Sequence, residues 1–214
     1  MNFFAHAQHC LDDPYQCAGV AVPDWLGVFR PRVRCRSRHV EPHIGSQNPD
    51  IAALSVGIMR HHTDDGWFHE TAAFSELSVD FAGRIRCATG DVDGMRPSFL
   101  GHILVELLLD WTLIEEKPGD LDRYYKSLAK VSPTLVARQV SNMCGQDAGE
   151  LESLIPRFLE VRFLEDYGED ETLCYRLNQV MKRVRLAELP VTFREVLPQA
   201  RHDVRERRRD LLAR

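Results

Sequence analysis

The sequence predicts an all-α protein, on three observations. Apolar residues recur at helical spacing along most of the 214 residues, strand-like alternation is scarce, and prolines and glycines punctuate the chain at intervals of helix length. A hydrophobic content of 44% with 28% charged residues suits a folded chain with its own core. The expectation is a single compact multi-helix domain over 1–214, with neither an internal repeat nor a long linker.

Each element has a local reason. A short helix over 2–11 stops near Pro14, and a second covers 15–28. An arginine-rich, proline-containing loop follows to about residue 48. Pro49 and Asp50 suit a helix start, because proline is preset for the first turn and an acid complements its dipole. That helix carries IAALSVGIMRHHTD toward Gly66, with another over 67–77. ATGDVDGMRP is a turn-rich connection. The strongest helix runs from Pro97 to Glu116 and is closed by Lys117-Pro118-Gly119. Amphipathic helices fill the second half, broken near Ser132-Pro133, Gly145 to Gly149, Gly168, Pro190 and Pro198.

Bulk charge narrows the function classes. A net charge of −5 gives no global attraction to nucleic acid or anionic lipid, so neither is an expected partner. Two local runs differ: Arg30, Arg32, Arg34, Arg36 and Arg38 alternate along one stretch, and Arg205, Arg207, Arg208 and Arg209 crowd near the C-terminus. Either is a solvated surface or a contact for an acidic partner. The six cysteines form no C-x-x-C pair and read as reduced, mostly buried thiols. MNFFAHAQHC lacks the basic and apolar regions of a signal peptide. The longest apolar run, SFLGHILVELLLDWTLI, is interrupted by His102, Glu106 and Asp110, so no membrane insertion and a cytoplasmic location are expected.

Histidine placement carries the chemistry. Eight of the nine histidines lie at or before position 102. His61 with Asp65, and His102 with Glu106, are i, i+4 pairs that share one helix face and can grip an ion. Imidazole with carboxylate suits zinc, iron or manganese. Glu106 sits among leucines, where an unpaired carboxylate is costly, so it needs a cation, a hydrogen-bond network or a shifted pKa, unless it faces an arginine or solvent. If the helix continues past Gly66, His61, Asp65 and His69 form one stripe; if Gly66 ends it, His69 folds back. His6 sits beside Phe3, Phe4 and Ala7, and reads either as a core histidine or as a ligand. Asp24, isolated in AGVAVPDWLG, either caps the turn after Pro23 or ligates metal. His39 and His43 are weaker candidates.

MNFFAHA, the apolar segment ending in Asp24, and GIMRHHTDD together resemble the acyl carrier protein phosphodiesterase family, which is related to HD-type helical metallohydrolases. That resemblance implies metal positions at His6, Asp24, His61 and Asp65, and aligns a later D-H motif with Gly101-His102. RFLEDYGEDETLCYRLNQVMKRVRL is similar to the family's aromatic and arginine region. It further implies phosphodiester hydrolysis, with an acyl carrier protein as the partner substrate. His62 stands where the pattern has arginine, His69 where it has an acid, and Gly101 where it has aspartate. The order His61, Asp65, His69, His102, Glu106 also resembles the zinc-dependent phospholipase C pattern, with Asp24 and His39 upstream.

The combined expectation is an HD-like or phospholipase C-like helical bundle that hydrolyses phosphoesters. Its two or more divalent ions (zinc, manganese or iron) are held by His6, Asp24, His61, Asp65, His69, His102 and Glu106. Such ions acidify water and neutralise developing phosphoryl charge. His62 or Asp64 is the expected general base or orienting group, and Arg34, Arg36 and Arg38 the expected phosphate contacts. The alternatives are a non-catalytic helical protein tied together by a structural metal, and an iron-dependent HD-like oxygenase.

Overall fold

The computed structural model describes residues 1–90 and 94–213. Among these there are eleven α-helices, three short 3-10 helices and no strand. The helices are α1 (Phe3–Ala7), α2 (Pro14–Leu26), α3 (Ser37–Val40), α4 (Pro49–Glu70), α5 (Ala72–Thr89), α6 (Pro97–Glu116), α7 (Pro118–Leu128), α8 (Pro133–Cys144), α9 (Leu151–Val161), α10 (Asp170–Arg183) and α11 (Leu197–Leu211). The all-α expectation holds. Proline opens α2, α4, α6, α7 and α8, where its missing N–H has no helical partner to lose. The Asp13, Thr71 and Ser132 side chains accept from the first-turn amides of Gln16, Phe74 and Leu135, capping α2, α5 and α8. Gly145 ends α8 in the left-handed region, at φ 63°.

Three boundaries differ from those expected. The first helix is only α1, and residues 8–12 are turns. The arginine-rich loop contains α3 and a 3-10 turn, Glu41–His43. Gly66 does not end α4, which continues to Glu70, while α5 begins only at Ala72 and runs to Thr89. Pro198 sits in the first turn of α11 and breaks nothing. Of the expected turn-rich connection, positions 91–93 lie outside the described residues.

The contacts group into two compact units, each drawn from separate stretches of chain. One comprises 2–66 and 117–162. Its core joins Phe4, Trp25, Tyr124 and Phe158, with Phe4 edge-on to Tyr124 at 6.1 Å and Trp25 edge-on to Phe158 at 5.4 Å. A five-residue helix such as α1 has no stability of its own. Fully buried Phe4, worth about 1.5–3 kcal/mol of transfer free energy, holds α1 in place and with it His6.

In the same unit α2 crosses α4 backbone to backbone. A Cβ on Gly19 would strike the Leu54 carbonyl, and one on Gly57 would strike the Gln16 carbonyl. Only glycine at both positions permits so close a crossing.

The other unit comprises Met1, 67–116 and 163–214. Phe81 and Ile85 of α5, Leu104 and Leu108 of α6, Phe193, and Val204 of α11 are buried in its core. Gly101 is the point at which α6 touches α5, where a Cβ would lie 2.9 Å from the Ala82 amide nitrogen and against the Ser78 carbonyl. No aspartate fits there. α6 is long and apolar enough to cross a membrane by length and composition, with a mean hydropathy of 1.3, and most of that stretch is buried inside the protein.

Candidate metal centres

His6, His61 and Asp65 each present one donor atom, and these atoms all lie within 4.8 Å of one another. α1 supplies His6, and one turn of α4 supplies the other two. The His6 ring is fully buried, yet neither ring nitrogen makes an aligned hydrogen bond. Its Nε2 lies 3.2 Å from Asp65 Oδ1, and its Nδ1 lies 3.8 Å from Asp64 Oδ2. These contacts are electrostatic, not directional. A desolvated imidazole left in that condition is the observation by which this trio fits a cation.

His61 is oriented from outside the trio. A carbonyl only accepts, so the 2.8 Å contact to Val20 O makes His61 Nδ1 the donor and leaves the Nε2 lone pair for a ligand. That lone pair faces Asp65 Oδ2 at 3.3 Å. An acceptor opposite a carboxylate needs a positive charge between them, a proton or a metal ion. The His6 and His61 rings stack, with centroids 4.1 Å apart.

The electrostatics agree. Burial disfavours the charged His6 imidazolium, but Asp64 and Asp65 outweigh it and lift the group from 6.5 to about 9. Burial would raise the Asp65 carboxyl, yet His6 and His61 hold it well below the usual carboxylate range. Asp24 lies on α2, inside the helix and not at a cap, and its charge adds to the field that raises His6.

The second unit holds its own trio, His69, His102 and Glu106, with donors again within 4.8 Å of one another. Glu106 Oε1 lies 2.9 Å from His69 Nε2, 3.4 Å from His102 Nε2 and 3.2 Å from the Met1 nitrogen. Burial would raise this carboxyl, but His102 and His69 bring it down to about 2. The Phe74 ring braces both imidazoles, each centroid 4.8 Å away. His102 is 43% exposed and Glu106 16%, so the trio opens on one side.

The remaining expected residues have other tasks within their units. His62 donates Nε2–H to the Cys35 carbonyl at 2.7 Å, fastening the arginine-rich segment to α4. Burial lowers its pKa. Asp64 is buried and pairs with Arg60 at 3.2 Å. His39 accepts from Arg38 at 3.1 Å and His43 lies in the 3-10 turn, neither in a donor group. Arg34, Arg36 and Arg38 are exposed. Sequence reasoning missed Val20, whose contribution is a main-chain carbonyl, and Phe74, an aromatic with no motif around it.

Comparison with family models, curated proteins and solved structures finds no match for this chain.

Proposed function

We propose that the protein is a metal-dependent phosphoester hydrolase whose working centre is the His6–His61–Asp65 trio. The observation that carries this reading is His6, a fully buried imidazole without an aligned hydrogen bond, facing a carboxylate pulled far below its ordinary range. Imidazole and carboxylate together favour zinc, manganese or iron. A divalent ion bound there would supply Lewis-acid chemistry toward a phosphoryl oxygen and make water acidic enough to ionise near neutral pH.

The chain's own residues do the rest. Val20 fixes the His61 tautomer, and Asp64, itself held by Arg60, sits behind the His6 ring. Asp65, a third exposed, is the open edge of the trio and the side from which an ester approaches. His62 and Asp64, the general-base candidates from sequence, act in this reading as positioning residues, since each is already engaged.

Turnover of bis(p-nitrophenyl) phosphate by protein supplied with zinc or manganese tests the reading. His61→Ala and Asp65→Ala should each abolish it; full rates in both variants would sink the assignment.

A further inference from the structure

The five arginines between Arg30 and Arg38 occupy alternate positions, and the alternation is structural as well as sequential. Val33 and Cys35 turn inward and are buried, while Arg32, Arg34 and Arg36 are exposed. Arg36 has extended backbone at φ −84°, ψ 150°. The alternation of exposed and buried residues is that of extended chain, in which residues two apart stand about 6.6 Å from one another on one side.

The outer two are tied down, Arg30 by the Gly27 and Phe29 carbonyls and Arg38 by His39. The side chains of Arg32, Arg34 and Arg36 make no hydrogen bond or ion pair with any described residue. Within the same unit Arg60, Arg123 and Arg162 all close on aspartates. In the other unit Arg201, Arg205, Arg207 and Arg208 of α11 close on Asp170, Glu115, Glu76 and Glu116. The net charge of −5 hides a local row of cations that the fold leaves uncompensated.

The main chain of the row is anchored at two points. The Arg34 amide donates to Gln146 Oε1 at 3.3 Å, and the Cys35 carbonyl accepts from His62, the neighbour of His61. The stretch that carries these arginines is thus hydrogen-bonded to α4 at the residue next to His61.

We propose that Arg32, Arg34 and Arg36 seat a linear chain of phosphates, and that the ester presented to His6, His61 and Asp65 belongs to such a chain. The second half rests on the hydrolase reading; the binding does not. Guanidinium forks pair bidentately with phosphate oxygens, and a regular line of them matches a repeating anion. An acidic protein is the poorer fit, because protein interfaces carry an apolar centre and here the apolar residues of the segment, Phe29, Val33 and Cys35, are all buried. No exposed aromatic lies among the arginines to stack on bases, so binding is to the backbone, independent of sequence and steep in salt. Single-stranded nucleic acid and inorganic polyphosphate share this chemistry.

The test is fluorescence anisotropy of a labelled oligothymidylate with the full chain, across a salt series. Tight binding at low salt is expected, with a log–log salt slope of about −2 for three contacts. The combined Arg32→Gln, Arg34→Gln, Arg36→Gln variant should lose about tenfold or more in affinity, with its metal content unchanged. Competition separates the sources: stronger displacement by polyphosphate than by unlabelled oligothymidylate supports polyphosphate, and the reverse supports nucleic acid. Equal affinity in the variant, or no binding of either polymer at low salt, would overturn the proposal. Displacement by poly-glutamate as effective per charge as by polyphosphate would overturn it in favour of an acidic protein. An oligonucleotide held by the ladder but left uncleaved, while a small diester is cleaved, overturns the substrate half alone. If neither is cleaved, the hydrolase reading fails and the ladder stands.

Discussion

His61 donates its Nδ1–H to the main-chain carbonyl of Val20 across 2.8 Å, and this bond decides which ring nitrogen is left to hold a ligand. It exists because Gly19 and Gly57 let α2 and α4 meet without intervening side chains. The sequence of two helices thus reaches the candidate site through two missing Cβ atoms.

Gly57→Ala should therefore damage the centre from a distance. The added Cβ meets the Gln16 carbonyl and lies 2.8 Å from the Gly19 Cα, so α2 must move. Overpacking of this kind costs about 1–3 kcal/mol. Denaturant unfolding should show that loss, together with weaker metal retention. An unchanged midpoint would mean that the crossing is looser than described.

The His6 shift has a sign that can be checked in chelated protein. A histidine raised from 6.5 to about 9 in the folded state contributes stability that is fully present below 6.5 and is lost as pH rises through about 9. The melting temperature should fall across that window, and His6→Gln should flatten the fall. Metal must displace the same proton, so calorimetry near neutral pH in buffers of different ionisation enthalpy should register proton release.

Gly66→Ala tests the continuity of α4. A Cβ at this helical position meets nothing within 4 Å. Replacing an interior helical glycine should stabilise the protein by about 0.5–1 kcal/mol. Destabilisation would indicate that the helix ends there.

Glu106→Gln addresses the second trio. The substitution keeps the shape but removes the charge toward which His69, His102 and the Met1 nitrogen converge. Elemental analysis should find fewer ions per chain than in the wild type. Equal content would remove the trio from the metal-binding account.

What the sequence made legible was local chemistry. Pro97 at one end and Lys117-Pro118 at the other mark α6 at its observed bounds, since proline starts helices easily and limits the residue before it. The candidate pairs His61 with Asp65 and His102 with Glu106 could be read because i, i+4 spacing is itself geometry. Gly66 misled in one of its two readings. Its cost of about 1 kcal/mol is local, whereas burial of Phe68 and its contact with Phe74 pull the last turn of α4 into the core of its unit. The Val20 carbonyl carried no signal, because every residue has one. The division of the candidate residues into two trios was likewise hidden, since it depends on which stretches pack together. At Gly101 the α5 backbone fills the space a side chain would need, which no spacing in the sequence announces.

The central claim is that buried imidazoles and acids hold an ion, and elemental analysis of protein purified without chelators or affinity metal tests it most directly. At least one equivalent of zinc, manganese or iron per chain is expected, sharply reduced in His61→Ala protein that remains folded. Wild-type protein free of transition metal that also fails to take up added zinc, or a His61→Ala variant as fully loaded as the wild type, would contradict it.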